Sequence, residues 1–194
     1  MLTRSEGRAL ITLARRTIER ALSRRYPQAV QTAQRAVGTE PVTSGMAVLN
    51  EPGGAFVTLH AHGDLRGCIG YIESAMPLSR VVEDVAEKAA FEDPRFPPLT
   101  PDEYPEVQME ISILSPLSRI ASPEEIVIGS HGLLLEHGWH RGLLLPQVAT
   151  EHRWDRTAFL ENVARKAGLP ATAWKDPSAR IFIFTADIIR EQGE

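Results

Sequence analysis

The stretch AFVTLHAHGDLRGCIGYI, residues 55–72, holds an alternating segment, a turn, a second segment and the only cysteine of the 194-residue chain. Residues 55–60 are rich in strand formers, His62-Gly63-Asp64 suits a tight turn, and 65–72 returns, so the spacing predicts an antiparallel hairpin. In an uninterrupted strand Arg66, Cys68 and Gly70 would share one face, and Leu65, Gly67, Ile69 and Tyr71 the other. With one thiol in the chain no internal disulfide is possible, so Cys68 is either a small packed residue or a functional one. Arg66 supports function, because a nearby cation can lower a thiol from about 8.5 toward roughly 3.5–7.5. Gly67 and Gly70 would leave room beside the thiol for a close approach. Spacing alone favours the buried, inert reading, since free cysteine is among the most buried residue types.

Working outward, Thr3 and Glu6 stand three apart, as in a capping box. Leu10, Leu13, Ala14, Ile18 and Leu22 then keep helical spacing to about Ser23. Residues 26–54 are punctuated by proline and glycine and read as largely irregular, with Met46-Ala47-Val48-Leu49 as a short edge strand. Pro77 opens a helix through about Phe91, with Val81, Val82, Val85, Ala86 and Ala89 on its apolar side. Asp93 to Leu99 reads as a rigid proline-rich loop, ending in a second capping box at Thr100 and Glu103. Val107, Met109, Ile111 and Ile113 alternate with Gln108, Glu110 and Ser112, the period of a half-buried strand whose polar side looks away from the main core. After Pro116 the character changes. Ser122-Pro123-Glu124-Glu125 is a short capped turn, and Gly132–Glu136 and Gly142–Pro146 flank a polar turn at 137–141 as a hairpin. A helix is expected from about Thr157 to Ala167 with Gly168 as its stop. Arg180 to Ile189 reads as one apolar, central strand. Helices and strands mix without strict alternation, which favours an α+β fold with mainly antiparallel sheets.

Composition narrows the function classes. The formal charge is −4 and the isoelectric point is near 5.9, which disfavours nucleic acid as a partner. The N-terminal arginines, Arg4 to Arg25, are interleaved with leucine and isoleucine and read as the solvated face of a helix. No run approaches the roughly 18 apolar residues of a membrane span. A single thiol without an export signal fits the reducing cytoplasm. His60 with His62, and His137 with His140 beside Glu136, form pairs without a convincing second half, so no metal is expected. Neither a Walker loop, a GxSxG elbow, an HExxH motif nor a GxGxxG fingerprint occurs. A cysteine–histidine dyad would draw its base from His60, His62 or His131. Glu110 and Asp93 are a candidate carboxylate pair, with Arg95 a natural partner of either.

The LRGCIG run at 65–70 resembles the hallmark motif of the AMMECR family, named for the Alport syndrome, mental retardation, midface hypoplasia and elliptocytosis chromosomal region. Its bacterial and archaeal members are called AmmeMemoRadiSam system protein A. Further blocks resemble the family in the same order: DPRFPPLT at 93–100, EISILSP at 110–116, GSHGL at 129–133, GLLLPQV at 142–148, and Trp154-Asp155 with the helix that closes on Lys166-Ala-Gly-Leu. The resemblance spans about residues 5–190. It implies two unequal α+β subdomains, each with an antiparallel sheet flanked by helices, and a cleft between them that the hallmark strand faces. On this chain the larger would be roughly 1–118 with 171–194, and the smaller 119–170.

A cleft-facing Cys68 turns the reading from packing to function, but the resemblance supplies no reaction. As an enzyme, the protein would use Cys68 as nucleophile or redox thiol, with Arg66 acidifying it or gripping an anionic substrate. His131 or Glu110 would be the base, and Gly67, Gly70, Asp93, Arg95 and Gln147 would shape the substrate site. As a binding module, it would hold a peptide, a protein segment or a partner's product, with Arg66 docking a carboxylate. Memo-like and radical SAM proteins are the partners the family association implies. No cofactor is expected, and the chain lacks the CxxxCxxC motif of a radical SAM cluster.

Overall fold

The computed structural model describes residues 2–28 and 47–191. Over these described residues it is α+β, with four helices and two antiparallel four-stranded sheets, divided between two compact units.

The first unit comprises residues 1–113 and 187–194. Helix α1 (Arg4–Arg25) starts at the expected capping box: the Thr3 side chain accepts from the Glu6 amide, and the Glu6 carboxylate accepts from the Thr3 amide. Strands β1 (Gly54–Ala61) and β2 (Asp64–Tyr71) form the expected hairpin. Its two-residue turn places His62 at φ 55° and Gly63 at φ 89°, the paired left-handed geometry that follows the twist of the flanking strands. Helix α2 (Leu78–Phe91) covers the β1–β2 hairpin and packs on α1. Strand β3 (Val107–Leu114) and, beyond it, β8 (Ala186–Arg190) complete the sheet in the order β2-β1-β3-β8. Its core joins Leu10, Ala14 and Ile18 of α1, Val82 and Val85 of α2, and Val57, Leu59, Met109 and Ile111 of the strands.

The second unit spans 114–186. Its sheet runs β4 (Ser118–Arg119), β7 (Arg180–Phe184), β5 (Gly132–His137), β6 (His140–Leu144). Helices α3 (Pro146–Glu151) and α4 (Arg156–Lys166) accompany it, and Phe159, Leu160, Val163 and Ala164 of α4 pack with Leu133 and Leu135. Asp155 caps α4 by accepting from the Ala158 amide at 2.8 Å.

Four expectations are revised. Ala47–Asn50 is a 3₁₀ turn instead of an edge strand, and Met46 lies outside the described residues. The run 180–189 is two strands, not one: β7 pairs with β5 in the second sheet, and after Thr185 the chain becomes the edge strand β8 of the first. The division therefore falls at 113/114 and 186/187, and residues 171–186 join the second unit because β7 is hydrogen-bonded there. The Leu-rich hairpin turns tightly at Gly138-Trp139, so His137 and His140 belong to its strands.

Gly67 is where helix and sheet come closest. A Cβ on it would stand 2.2 Å from the carbonyl oxygen of Ala89 in α2. Gly67→Ala should therefore lower stability by about 1–3 kcal/mol, the usual range for overpacking, read as a fall in the urea midpoint at unchanged m-value. An unchanged midpoint would mean that α2 withdraws freely.

Candidate functional site

Two sides of the first sheet differ in chemistry. Val57, Leu59, Met109 and Ile111 point into the core under the helices, so Thr58, Glu110 and Ser112, at alternating positions, belong to the other side. Cys68 pairs with Thr58 and lies on that side as well.

The pairing depends on a bulge. Ala61↔Asp64 and His60↔Leu65 continue from the turn, but the next pair is Leu59↔Gly67, leaving Arg66 without a partner on β1. Its side chain is turned onto the segment that follows α2. There its Nε and Nη2 donate to the two Glu103 carboxylate oxygens at 3.2 Å each, Nη2 also donates to the Pro97 carbonyl at 3.0 Å, and the guanidinium lies over the Phe96 ring. Glu103 also accepts from the Thr100 amide and hydroxyl, one half of the expected second capping box, and the chain goes on into a 3₁₀ segment at Tyr104–Glu106 instead of an α-helix. Arg66, 9% exposed, is thus committed to the protein itself. The expectation that it acidifies the thiol is corrected: the Arg66 charge is spent on Glu103, whose carboxyl it holds below its ordinary range.

Asp93 and Arg95 brace the backbone of Cys68 instead. Among the described residues β2 is an edge strand, so alternate backbone groups look outward with no neighbouring strand there. The Cys68 amide donates to Asp93 Oδ2 at 2.9 Å, and the Cys68 carbonyl accepts from Arg95 Nη2 at 3.3 Å. Arg95 grips both Asp93 oxygens, Nε to Oδ1 at 2.9 Å and Nη2 to Oδ2 at 2.7 Å. One acceptor and one donor on a loop thereby stand in for a fifth strand at a single residue. Since both Cys68 backbone groups point outward, Thr58↔Cys68 is a non-hydrogen-bonded pair, the type with the closer side chains. Accordingly the Thr58 hydroxyl donates to Cys68 Sγ at 3.3 Å.

The thiol is half-buried. Burial pushes it above its ordinary value, and the Asp93 and Glu110 charges add to the rise, while the Thr58 hydroxyl and the Arg95 charge oppose it. Glu110 is itself ion-paired to Arg190 Nε at 2.8 Å. The spaces over the two glycines are filled from within: Ala89 occupies that of Gly67, and the Phe56 ring lies 2.2 Å from where a Gly70 Cβ would be. His131 and Gln147 belong to the second unit, His131 before β5 with Nδ1 accepting from the Val127 amide, and Gln147 in the first turn of α3. Among the described residues no group of three or more His, Cys, Asp or Glu is placed to hold a metal ion, and no helix is long and apolar enough to cross a membrane.

Neither Thr58 nor Glu103 is among the site residues expected from the sequence. Glu103 carried a signal as half of a capping box; Thr58 carried none, because the bulge decides its partner.

The architecture is that of a two-unit α+β protein with a half-buried thiol on a braced edge strand. The chain belongs to the AMMECR1 family, whose model matches residues 11–189. It is 41% identical to a protein of Methanothermobacter thermautotrophicus over 99% of this chain and 97% of that one. It is 40% identical to Protein MJ0810 of Methanocaldococcus jannaschii, covering 98% and 92%. Among solved structures, the uncharacterized protein PH0010 from Pyrococcus horikoshii matches with a TM-score of 0.81 at 37% identity, over 94% of this chain and 90% of that one.

Arg95 holds the Asp93 carboxyl far below the usual carboxylate range, with the Cys68 and Arg95 amides assisting against burial. Because the folded carboxyl titrates below the unfolded one at about 3.9, its contribution to stability is whole above that pH and is lost as the pH falls through the folded value. Asp93→Asn should be less stable than wild type at pH 7, with the gap closing as acid is added. Urea midpoints of both proteins from pH 7 down to pH 2 check this; a gap that persists unchanged in acid would assign the loss to shape instead of charge.

Proposed function

We propose that this protein is a binding module whose site is the polar side of the first sheet around Cys68, taking an anionic group of a peptide or protein. The observation that carries the reading is the division of labour between the two arginines. Arg66 is sequestered by Glu103 and Pro97, whereas the Arg95 side chain is 51% exposed beside Cys68 while still holding Asp93. An exposed guanidinium fixed by a buried carboxylate is a ready partner for a carboxylate, because its planar fork is already oriented. Cys68 then serves as a small, neutral, half-buried contact. Memo-like and radical SAM proteins are the first partners to test.

Thiol-dependent catalysis is the second reading, and the Thr58 hydroxyl donated to Sγ favours it, since a donor stabilises a thiolate. It also requires a low thiol pKa or a nearby base. Burial and two carboxylates work against the first, and Glu110 is engaged by Arg190.

The pH dependence of Cys68 alkylation in the folded protein separates the two. Binding predicts slow modification with an apparent pKa above about 8.5, and co-purification with a partner that Arg95→Glu weakens. An apparent pKa well below that value would overturn the binding reading and make Cys68→Ser the control for a substrate search.

A further inference from the structure

On the opposite side of β2 from Cys68, α1, α2 and Tyr71 flank an open groove of about 630 Å³ lined mostly by charged side chains, with Thr17, Tyr71 and Met76 between them. Two ladders build it. Arg20 and Arg24 of α1 face Glu83 and Glu87 of α2 at 3.1 and 2.9 Å, and Arg80 reaches the other Glu83 oxygen at 2.9 Å. At the floor, Lys88 Nζ donates to the Tyr71 hydroxyl at 2.6 Å and to Asp84 at 2.8 Å, while the Tyr71 hydroxyl donates to Asp84 at 2.5 Å. Asp84 and Tyr71 hold the Lys88 ammonium above its ordinary range, so the floor keeps its charge.

Four cations against three carboxylates are nearly balanced, but they stand at different depths. The side chains of Arg20, Arg24 and Arg80 are 61, 62 and 72% exposed, whereas those of Glu83, Glu87 and Asp84 are 21, 32 and 37% exposed. A ligand meets guanidinium groups first. Those groups keep donors in reserve: Arg24 reaches Glu87 through Nη2 alone, and Arg80 reaches Glu83 through Nη1 alone. Met76, 40% exposed, adds an adaptable apolar contact at the groove's edge.

From this we infer that the α1–α2 groove is a docking site for an acidic, extended peptide segment of a protein partner, separate from the Cys68 site. From Arg80 to Lys88, nine residues of α2, the axial rise is about 12 Å at 1.5 Å per residue, the length of three to four extended residues. That is too long for one phosphate. A single-stranded nucleic acid would need aromatic platforms for its bases, and the groove's one aromatic, Tyr71, is tied to Asp84 and Lys88. In a chain of net charge −4, an outward-facing arginine rim selects partners of the same overall sign by a local patch.

Fluorescence anisotropy tests this with three labelled probes: a ten-residue Asp/Glu peptide carrying one leucine, its lysine counterpart, and oligo-dT. The acidic peptide should bind selectively and weaken with added salt, and Arg24→Glu/Arg80→Glu should cut its affinity by about tenfold or more, while Arg24→Lys/Arg80→Lys retains most of it. Met76→Asp, at the edge, supplies a second variant should the double reversal unfold. Alkylating Cys68 should change nothing, which separates this site from the one proposed above. Equal binding of acidic and basic peptides, indifference to charge reversal in a folded variant, or preference for oligo-dT would overturn the inference.

Discussion

The hydrogen bond from the Cys68 amide to the buried Asp93 carboxylate is the interaction on which the site rests. An edge strand offers its outward amides and carbonyls to whatever can pair with them, including other copies of the chain. Here Asp93 and Arg95 close that opening at one residue. Hydrogen bonds to charged groups contribute roughly 1.5–3 kcal/mol each, and Asp93 accepts from the Cys68 amide and from Arg95 amide and guanidinium together. The carboxylate stays ionised in a buried position chiefly because Arg95 sits on it, with the Cys68 and Arg95 amides assisting. Loop, strand edge and thiol are therefore joined by one set of hydrogen bonds, and Arg95 is the part of it that still meets solvent.

Arg66 performs the complementary task one step along the strand. Its bulge rotates the side chain onto Glu103 and Pro97, and Glu103 in turn holds Thr100. The loop from Asp93 to Glu103 is thus fastened to β2 at two points, Cys68 and Arg66, while Leu99 plugs the core between them at 0% exposure and its amide returns to Ala90. Two sequence blocks that lie about 25 residues apart, the LRGCIG run and the DPRFPPLT run, are in this sense one structural device.

Much of this fold was legible. The Thr3–Glu6 box, the alternation of Val107 to Ile113 and the tight turn at His62-Gly63 are local signals, and local physics produces them as read. The misplaced features depend on distant partners. Residues 180–189 are mostly apolar, and the polar Thr185 and Asp187 among them do not by themselves tell a change of sheet from the polar positions of one continuous strand; that is set by pairing with β5 and β3. The site was legible as a set of residues and not as a wiring diagram. Strict alternation places Arg66 beside Cys68 on one face, and counting back from Ala61↔Asp64 without a bulge would set Thr58 opposite Gly67. A single extra residue reverses both conclusions, sending Arg66 away and bringing Thr58 to the thiol.

The same extra residue links the two sides of β2. Once the register is shifted, Gly67 stands opposite Leu59 and beneath Ala89, and only a residue without a Cβ lets the α2 backbone approach that closely. Two pleats on, Tyr71 falls on the helix side by alternation, and the close approach of α2 brings its hydroxyl within hydrogen-bond reach of Asp84 and Lys88. The close approach at Gly67 is thus compatible with the hydrogen-bonded floor of the charged groove, while the thiol one residue later faces the other way. A larger side chain at 67 would have to push α2 outward, so it should disturb the Tyr71 contacts while leaving the Thr58–Cys68 pair intact, because β1 and β2 hold that pair without the helix.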